Sequence, residues 1–306
     1  MPDISVIVPT HNRAQLLRKH LSALAAQTFP RTATEWIVVC DGCTDDSAQV
    51  ARDGGADLVI EQAPSGPAAA RNAGLRSATR GVVCFLDDDI IPDPGWIEAF
   101  ATAAPAPTDK TLYLGYCPHA PNTITTYLDR RNAAWYEGRI DMIRQPGYEL
   151  RYTDFFSGNF AVPRLEFLAL GGFDARFSVA EDYEMAFRAL ESGWRIQFVP
   201  AARAEHHFHR DARAYGRQAF LAGKGDALLV RTHPEITPEV RIGLPRPPLR
   251  RIAGLGWRAV ALHTTLSIKL VEALAAVGER VHMRRLLDLL YALLWDGQYW
   301  RGVAAA

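Results

Sequence analysis

The sequence VVCFLDDDIIP, residues 82–92, joins a run of apolar, strand-forming residues to Asp87, Asp88 and Asp89. Three like charges at the end of a buried strand repel one another and resist desolvation, so they need either solvent or a bound cation. Their hard oxygen atoms favour Mg²⁺ or Mn²⁺ as that cation. If the strand continues through them, Asp87 and Asp89 share one face of the sheet and Asp88 points to the other. An acidic triplet is also compatible with a solvated turn.

The first hundred residues alternate predicted strands with predicted helices. Apolar runs at residues 4–8, 36–40, 58–61 and 82–86 are separated by segments with helical spacing. This alternation predicts an α/β fold with a mostly parallel, Rossmann-like sheet, whose loops at the carboxyl edge face one crevice. The residues that stand out on those loops are His11, Asn12, Arg13, Asp41, Gly66, Arg71 and the three aspartates. Neither GxGxxG nor GxxxxGK follows the first strand, so a nucleotide has to be held in another way.

Two pairs of residues have the spacing of a capping box, in which side chains satisfy the first amides of a helix. Asn12 with Gln15 predicts a helix start after the first strand, and Ser178 with Glu181 predicts one for EDYEMAFRALESG. The second prediction places Glu181 and Asp182 in a first helical turn, where the helix dipole favours their ionised forms.

The rest of the chain is less regular in pattern. Further strands are predicted at residues 112–116, 155–162 and 194–199, and residues 118–154 form a long section without clear periodicity. Helical spacing returns beyond residue 215, with a proline-rich interruption at residues 244–251.

The composition is that of an ordinary globular protein. Lys plus Arg and Asp plus Glu both number 34, so the net charge of zero argues against a nucleic-acid partner. Residues 241–306 hold ten basic and four acidic residues, an excess of six positive charges. This tail also carries Trp257, Trp295, Tyr299 and Trp300. It therefore predicts either contact with an anionic membrane surface or a helical cover or homodimer interface.

Cysteine usage and apolar runs bear on location. Four cysteines are too few for a disulfide framework in a chain of 306 residues. The sequence MPDISVIVPT has no secretion-signal pattern, and the longest apolar runs fall short of the roughly 20 residues that span a bilayer. We therefore expect a cytoplasmic protein, located at the inner face of a membrane if the tail binds lipid.

Six motifs occur in a fixed order, namely SVIVPTHNR, DGCTDDS, GPAAARNAG, FLDDDIIP, GGFD and EDYEMAFR. Together they resemble family 2 of the GT-A glycosyltransferases over residues 3–210. The resemblance implies a GT-A fold, an inverting reaction and a nucleoside-diphosphate sugar donor, with a UDP-sugar as the first expectation. It also implies a catalytic domain at residues 1–215, with a nucleotide-binding half (1–102) and an acceptor-binding half (103–215), and a helical C-terminal extension at 216–306.

The resemblance implies a role for each residue that matches a family motif. Asp182 is implied as the general base that deprotonates an acceptor hydroxyl, with Glu181 as the competing choice. The implied ligands of Mn²⁺ or Mg²⁺ are Asp87, Asp89 and His206, with His209 as the alternative to His206. The residues implied to bind the nucleotide-sugar are Pro9, Thr10, His11, Asn12, Arg13, Asp41, Gly66, Arg71, Asp87 and Asp88.

Several functions stay open at this point. The sequence lacks the QxxRW motif and the spanning helices of processive members of the family, so transfer of a single sugar is expected. Its acceptor is a glycan, a lipid-linked molecule or a small molecule. Two other functions fit an α/β sheet with an acidic edge, namely a nucleotidyltransferase that makes a nucleotide-sugar and a non-catalytic nucleotide- or glycan-binding module. The phosphate loop usual in the nucleotidyltransferase is missing after the first strand.

Overall fold

The computed structural model describes residues 1–104, 108–243 and 283–306, together with positions 271, 273, 274 and 277. The strands in this part of the chain are β1 (Ile4–Thr10), β2 (Thr34–Asp41), β3 (Leu58–Gln62), β4 (Val82–Leu86), β5 (Ile90–Pro92), β6 (Thr111–Tyr116), β7 (Asn159–Pro163) and β8 (Arg195–His206). The helices are α1 (Ala14–Ala25), α2 (Ser47–Asp53), α3 (Pro67–Ser77), α4 (Trp96–Ala103), α5 (Tyr127–Ile143), α6 (Arg164–Leu170), α7 (Glu181–Glu191), α8 (Ala212–Thr232) and α9 (Arg284–Ala304). Residues 244–251 and Trp257 lie outside the described residues.

The eight strands form one sheet in the order β3-β2-β1-β4-β7-β6-β8-β5. Strands β1 to β4 pair with one another in parallel, and β8 is parallel to β6. Strand β7 runs antiparallel between β4 and β6, and the short strand β5 runs antiparallel to β8. The predicted α/β fold with a mostly parallel sheet is confirmed, and β7 is the main interruption of the parallel pattern.

The central strands are buried on both faces, as their continuous apolar runs require. Every residue of β4 has no exposed surface, including Phe85, whose ring stacks on Phe160 of β7 with centroids 4.7 Å apart. Phe167 and Phe173 meet the Phe85 ring edge-on, at 6.0 and 5.7 Å. This aromatic cluster supports the strand that leads into the acidic triplet.

Three of the predicted segments differ from the structure. The strand predicted at residues 155–162 begins only at Asn159. The section at residues 118–154 contains α5, a 17-residue helix whose weakly amphipathic sequence hides its period. Strand β8 was predicted to end at residue 199, but it continues to His206. Its register against β6 shifts between Gly115 and Tyr116, which pair with Val199 and Arg203. The residues between Val199 and Arg203 therefore bulge, and this lets a strand containing a proline continue to the edge of the site.

Asn159 joins this bulge to the rest of the sheet. Its side-chain oxygen accepts a hydrogen bond from the Trp96 indole at 2.8 Å, and its nitrogen donates to the carbonyl oxygens of Tyr116 and Ala202 at 3.2 and 3.1 Å. Asn159 is 2% exposed, and its bonds to Trp96 and Ala202 are buried. Gly115 makes room for the amide, because a Cβ at that position would lie 2.4 Å from the Asn159 side-chain nitrogen.

We expect Gly115→Ala to lower the free energy of unfolding by about 1–3 kcal/mol, because overpacking forces the buried amide out of its hydrogen bonds. Gly297→Ala is the matched control, since a Cβ there meets nothing within 4 Å in the middle of α9. This control should gain about 0.5–1 kcal/mol from helix propensity. Urea denaturation followed by circular dichroism measures both, and equal stability of the two variants would contradict the packing role of Gly115.

The chain divides into two compact units, one of residues Met1–Thr123 and Ala133–Phe208 and one of Ile124–Asn132 and His209–Ala306. All residues implied in the site except His209 belong to the first unit. The predicted division after residue 215 remains a prediction, and residue 215 lies inside α8.

The second unit is built on close contact between α8 and α9. A Cβ on Gly223 would lie 2.0 Å from the Tyr299 carbonyl oxygen, and one on Gly302 would lie 1.9 Å from the Phe220 carbonyl oxygen. Only glycine permits backbones to approach so closely. The Tyr299 hydroxyl donates to Asp226, and Tyr299 is 2% exposed. This tail aromatic therefore packs within the unit. None of the helices described here combines the length and the apolar character that crossing a membrane requires.

Candidate functional site

The acidic triplet forms a turn at the end of β4. The Ile90 amide donates to the Asp87 carbonyl oxygen at 3.0 Å, which closes a turn before β5 begins. Strand alternation therefore does not apply at the triplet, because the chain turns there instead of continuing as a strand. Asp88 and Asp89 instead share one guanidinium, that of Arg13, at 2.8 and 2.7 Å.

Asp88 is the most deeply buried member of the triplet, with 4% of its surface exposed. Its second oxygen accepts a hydrogen bond from the Thr10 hydroxyl at 2.6 Å. Burial raises the Asp88 pKa to about 6, against the opposing influence of Arg13 and Thr10. Asp88 thus connects the triplet by a hydrogen bond to Thr10, the last residue of β1.

Asp89 lies between Arg13 and His206. Its Oδ1 is 3.6 Å from the His206 Nε2, and its carbonyl oxygen accepts from the His207 amide at 2.7 Å. Burial alone would raise the Asp89 pKa, but His206 and Arg13 outweigh it and lower the pKa to about 2. Asp89 is therefore ionised at any physiological pH.

His206 and His209 occupy different surroundings. His206 is the last residue of β8 and pairs with Ile90 of β5, so the sheet itself carries it to the triplet. His209 belongs to the second unit, where its Nδ1 lies 3.0 Å from Asp129. Of the two histidines, His206 is the one that the structure places beside Asp89.

The loop after β1 is held by the loop after β2. The Asn12 side-chain oxygen accepts from the backbone amides of Thr44 and Asp45 at 2.7 and 3.2 Å. Asn12 itself has a φ of +53°, and α1 begins after Arg13 without a side-chain cap from Asn12. The predicted capping box is wrong here, because the amide bonds to a neighbouring loop rather than to its own helix.

Asp41 organises the loop before α3. Its carboxylate accepts from the Gln62 side chain at 2.9 Å and from the amides of Ser65 and Gly66, both at 2.8 Å. Gly66 has a φ of +90°, a conformation that favours glycine. The Asp41 carbonyl oxygen accepts from the His11 ring nitrogen at 2.6 Å. Pro9 lies near the end of β1, beside Val39.

Arg71 connects the two halves of the predicted site. Its guanidinium is 4% exposed and donates to Asp87 at 2.7 Å and to Glu181 at 3.0 Å. The Phe173 ring lies under it, with 5.5 Å between the guanidinium carbon and the ring centroid. The structure therefore brings the triplet and the start of α7 to one buried cation.

Helix α7 begins after Ala180, whose φ is +62°, and no side chain caps it. The predicted capping box of Ser178 and Glu181 is wrong, because Glu181 bonds to Arg71 instead. Asp182 is half-buried, and its Oδ1 accepts from the Tyr183 amide at 2.9 Å. Burial, followed by the neighbouring Glu181 charge, raises the Asp182 pKa to about 7.

Two side chains of this site, Asp89 and His206, lie close enough together to bind one divalent cation. The 3.6 Å between the Asp89 Oδ1 and the His206 Nε2 lets one ion bind both, because Mg²⁺ or Mn²⁺ takes such ligands at about 2.0–2.2 Å. In the described part of the chain, no group of three or more His, Cys, Asp or Glu side chains is arranged to hold a metal ion. Asp87 is paired with Arg71, so water and substrate oxygens would complete the coordination.

Sequence reasoning missed two residues that support the triplet. His20 has no exposed surface, and its Nδ1 donates to the Ile90 carbonyl oxygen at 2.8 Å. Burial lowers its pKa to about 4, so it is neutral. The Gly158 carbonyl oxygen accepts from the Asp87 amide at 3.0 Å. A histidine at the apolar helical spacing of Leu17 and Leu21 was the available signal for His20, whereas Gly158 carried none.

Residues 2–221 match the family model described as "Glycosyltransferase like family 2". The chain is 29% identical over 246 residues to the pre-mycofactocin glycosyltransferase of Mycobacterium tuberculosis. That alignment covers 77% of this chain and 49% of the relative, so the chain spans about half of that protein's length.

Two solved structures share the fold. One is a mannosyltransferase from Pyrobaculum calidifontis in complex with GDP-Man and Mn²⁺, with a TM-score of 0.64, 22% identity, and coverage of 98% of this chain and 87% of that one. The other is S. aureus TarS 1–349 in complex with UDP, with a TM-score of 0.53, 18% identity, and coverage of 97% and 89%. The predicted GT-A fold is confirmed. The chain belongs to glycosyltransferase family 2.

Proposed function

We propose that this chain transfers one sugar from a nucleoside-diphosphate sugar to an acceptor hydroxyl, with inversion at the anomeric carbon. The observation that carries this proposal is the buried Arg71, which bonds to Asp87 at 2.7 Å and to Glu181 at 3.0 Å. One guanidinium thereby holds the donor side and the acceptor side of the site together. The rate of a displacement depends on such fixed placement of its two sides.

Asp182 is the general base in this proposal. A base works best when its pKa lies near the operating pH, and burial beside Glu181 raises the Asp182 pKa to about 7. Glu181 is less suited to the role, because its carboxylate is bonded to Arg71. Asp182 takes the proton of the acceptor hydroxyl as that oxygen attacks the anomeric carbon.

The donor is held by the loops at the carboxyl edge of the sheet. The nucleoside is assigned to the loop of Pro9, Thr10, His11 and Asn12, to Asp41 and to Gly66. Arg13, which is half-exposed, is positioned to approach the diphosphate as well as the triplet. The two solved structures contain GDP-Man and UDP. Guanine and uracil are therefore both candidates for the nucleobase of the donor, and a UDP-sugar stays the first expectation.

Asp89 and His206 would hold a divalent cation, with Asp87 as the further carboxylate of the triplet. When bound, Mn²⁺ or Mg²⁺ supplies positive charge against the departing diphosphate. The chain's own part is to keep Asp89 ionised, which Arg13 and His206 ensure. His20 and the pairing of β5 with β8 hold the turn in place beneath it.

Incubation with UDP-, GDP- and dTDP-sugars tests the proposed function. We expect release of the nucleoside diphosphate from one of these donors, and a β-linked product from an α-linked donor by NMR once an acceptor is supplied. Release of pyrophosphate from a nucleoside triphosphate and a sugar phosphate would indicate a nucleotidyltransferase instead. Donor hydrolysis that never exceeds the buffer rate would indicate a binding module.

Asp89→Asn is expected to remove the metal-dependent part of nucleotide binding. In the wild type, adding Mn²⁺ together with the nucleoside diphosphate should raise Tm more than the diphosphate alone, because a ligand that binds only the folded state stabilises it. The variant should show the same Tm with and without Mn²⁺. Asp109→Asn is the control, since that residue pairs with Arg195 away from the triplet. A full Mn²⁺ response in the Asp89 variant would exclude this metal site.

A further inference from the structure

A continuous series of aromatic rings runs from the triplet to the protein surface. It begins at His206, whose Nε2 lies 3.6 Å from the Asp89 carboxylate. The centroid of the His119 ring is 5.6 Å from that of His206, and the Tyr136 ring is 6.3 Å from His119. The series continues from Tyr136 to Phe156 at 5.9 Å and from Phe156 to Trp135 at 6.0 Å. We call this series the aromatic row.

Trp135 ends the aromatic row and is 57% exposed. It is the aromatic side chain among the exposed large hydrophobic residues of the described chain. Leaving an indole in water forgoes much of the free energy that burial of this largest side chain would provide. Such a surface is therefore a place to look for a ligand that covers it.

The row lies at the edge of the sheet where the site is. Asn159, the first residue of β7, pairs with Leu86, the last residue of β4, so the residues before β7 adjoin the triplet. Gly158 contacts Asp87 directly, through the 3.0 Å bond from the Asp87 amide. Phe156 stands two residues before Gly158, and Trp135 packs on it edge-on, with an interplanar angle of 76°.

The surface beside Trp135 has room for a flat ring. Gly138 lies one helical turn further along α5, on the same face as Trp135. A Cβ on Gly138 would meet nothing within 4 Å, so this part of the helix surface is open. We call the exposed indole of Trp135 and the open helix surface at Gly138 beside it the platform.

The groups around the platform suit a carbohydrate better than a lipid chain. Arg139 lies one helical turn beyond Trp135 on the same face of α5, is partly exposed, and donates a hydrogen bond to Asp154. A sugar ring presents C–H groups to an indole and hydroxyls to such a polar neighbour. The next exposed apolar side chain on this face, Met142, is two turns away beyond Arg139, so the apolar surface is not continuous.

We infer that Trp135, supported by Phe156, is a subsite that stacks against a pyranose ring of a carbohydrate acceptor. This inference rests on the proposed function, because it names the class of acceptor for the same site. The aromatic row then connects the acceptor platform to the histidine at the triplet. Trp135 is a specificity-determining residue in this assignment, and it takes no part in proton transfer.

The test uses the full chain and a set of p-nitrophenyl and methyl glycosides as acceptors. Trp135→Ala should raise the acceptor KM about tenfold or more, a loss of about 1.4 kcal/mol of binding, while donor hydrolysis without acceptor and Tm stay at wild-type values. Trp135→Phe should recover most of the affinity, because it retains an aromatic face. Met142→Ala is the matched control on the same helix and should leave the KM unchanged.

Binding is measured separately by saturation-transfer NMR with the methyl glycosides, so the subsite is judged even if no donor is hydrolysed. Saturation transfer that is present in the wild type and lost in Trp135→Ala supports the subsite, whether or not transfer activity is found. Equal KM and equal saturation transfer in wild type and Trp135→Ala would overturn it. Binding that requires an octyl chain on the glycoside and is weakened equally by Met142→Ala would also overturn it, in favour of a lipid acceptor.

Discussion

Asp182→Asn is expected to lower the rate of sugar transfer by roughly 10²- to 10⁴-fold, the range that general-base catalysis contributes. The amide cannot accept the proton of the acceptor hydroxyl, yet it keeps the size of the carboxylate and its hydrogen bond from the Tyr183 amide. Binding of the nucleoside diphosphate should be unchanged, because the proposed role of Asp182 is toward the acceptor hydroxyl. Steady-state kinetics and calorimetric titration separate the two effects.

The pH dependence follows from the same carboxylate. Since the Asp182 pKa is about 7, the wild-type rate should fall as the pH drops through 7, where the base becomes protonated. The folded-state pKa lies above the ordinary value of 3.8, so the ionised Asp182 carboxylate disfavours the folded state. The free energy of unfolding should therefore fall as the pH rises from 3.8 to about 7, the interval over which the unfolded state has already lost this proton. Asp182→Asn should therefore raise Tm more at pH 8 than at pH 5.

Two further variants distinguish Asp182 from Glu181 as the general base. Glu191→Gln, at the exposed end of the same helix, should leave both rate and Tm unchanged. Glu181→Gln should lower Tm, because it removes the negative charge that pairs with Arg71, but it should retain a measurable pH-dependent rate. If Glu181→Gln abolished transfer while Asp182→Asn kept the full rate, Glu181 would be the base.

The second large effect is expected at Arg71. Arg71→Met should lower the free energy of unfolding by about 3–5 kcal/mol, because it leaves two carboxylates without the buried cation that balances them. Glu181 is 9% exposed, and one oxygen of Asp87 accepts from Arg71 at 2.7 Å. Urea denaturation of the wild type and the variant measures this difference.

An exposed ion pair provides the control for this change. Arg176→Met removes the exposed partner of Asp174, and because solvent screens such a pair this variant should cost little stability. The double variant Arg71→Met with Glu181→Gln should recover part of the lost stability, because it removes one of the uncompensated charges. A cost at Arg71 no larger than that at Arg176 would mean that the buried cation does not hold the site together.

Much of the architecture follows from the order of residues along the chain. Apolar runs such as that of β4 predict buried strands because both of their faces need an apolar surrounding, and the helices between them require parallel pairing. The residues of the site could be named for the same reason, since loops after parallel strands meet at one edge. Helix α5 escaped prediction because its apolar residues lack a clear helical period.

The two capping boxes predicted from local spacing are absent, because a group distant in the chain bonds to the capping side chain instead. Asn12 and Glu181 both had capping spacing, yet Asn12 bonds to the backbone of residues 44 and 45, and Glu181 bonds to Arg71. A side chain near a helix start satisfies whichever partner the fold brings closer, and buried charge outweighs a helix cap.

Periodicity, and the position of each residue relative to its strand, predict the mostly parallel sheet, the acidic strand end and the polar residues at that edge. The division of the carboxylates between two arginines, with Asp88 and Asp89 on Arg13 and Asp87 on Arg71, arises only in the folded chain. Arg71 and Glu181 are 110 residues apart in the chain. Contacts at such separation depend on where the folded strands and helices place them, and this is why no local pattern could predict them.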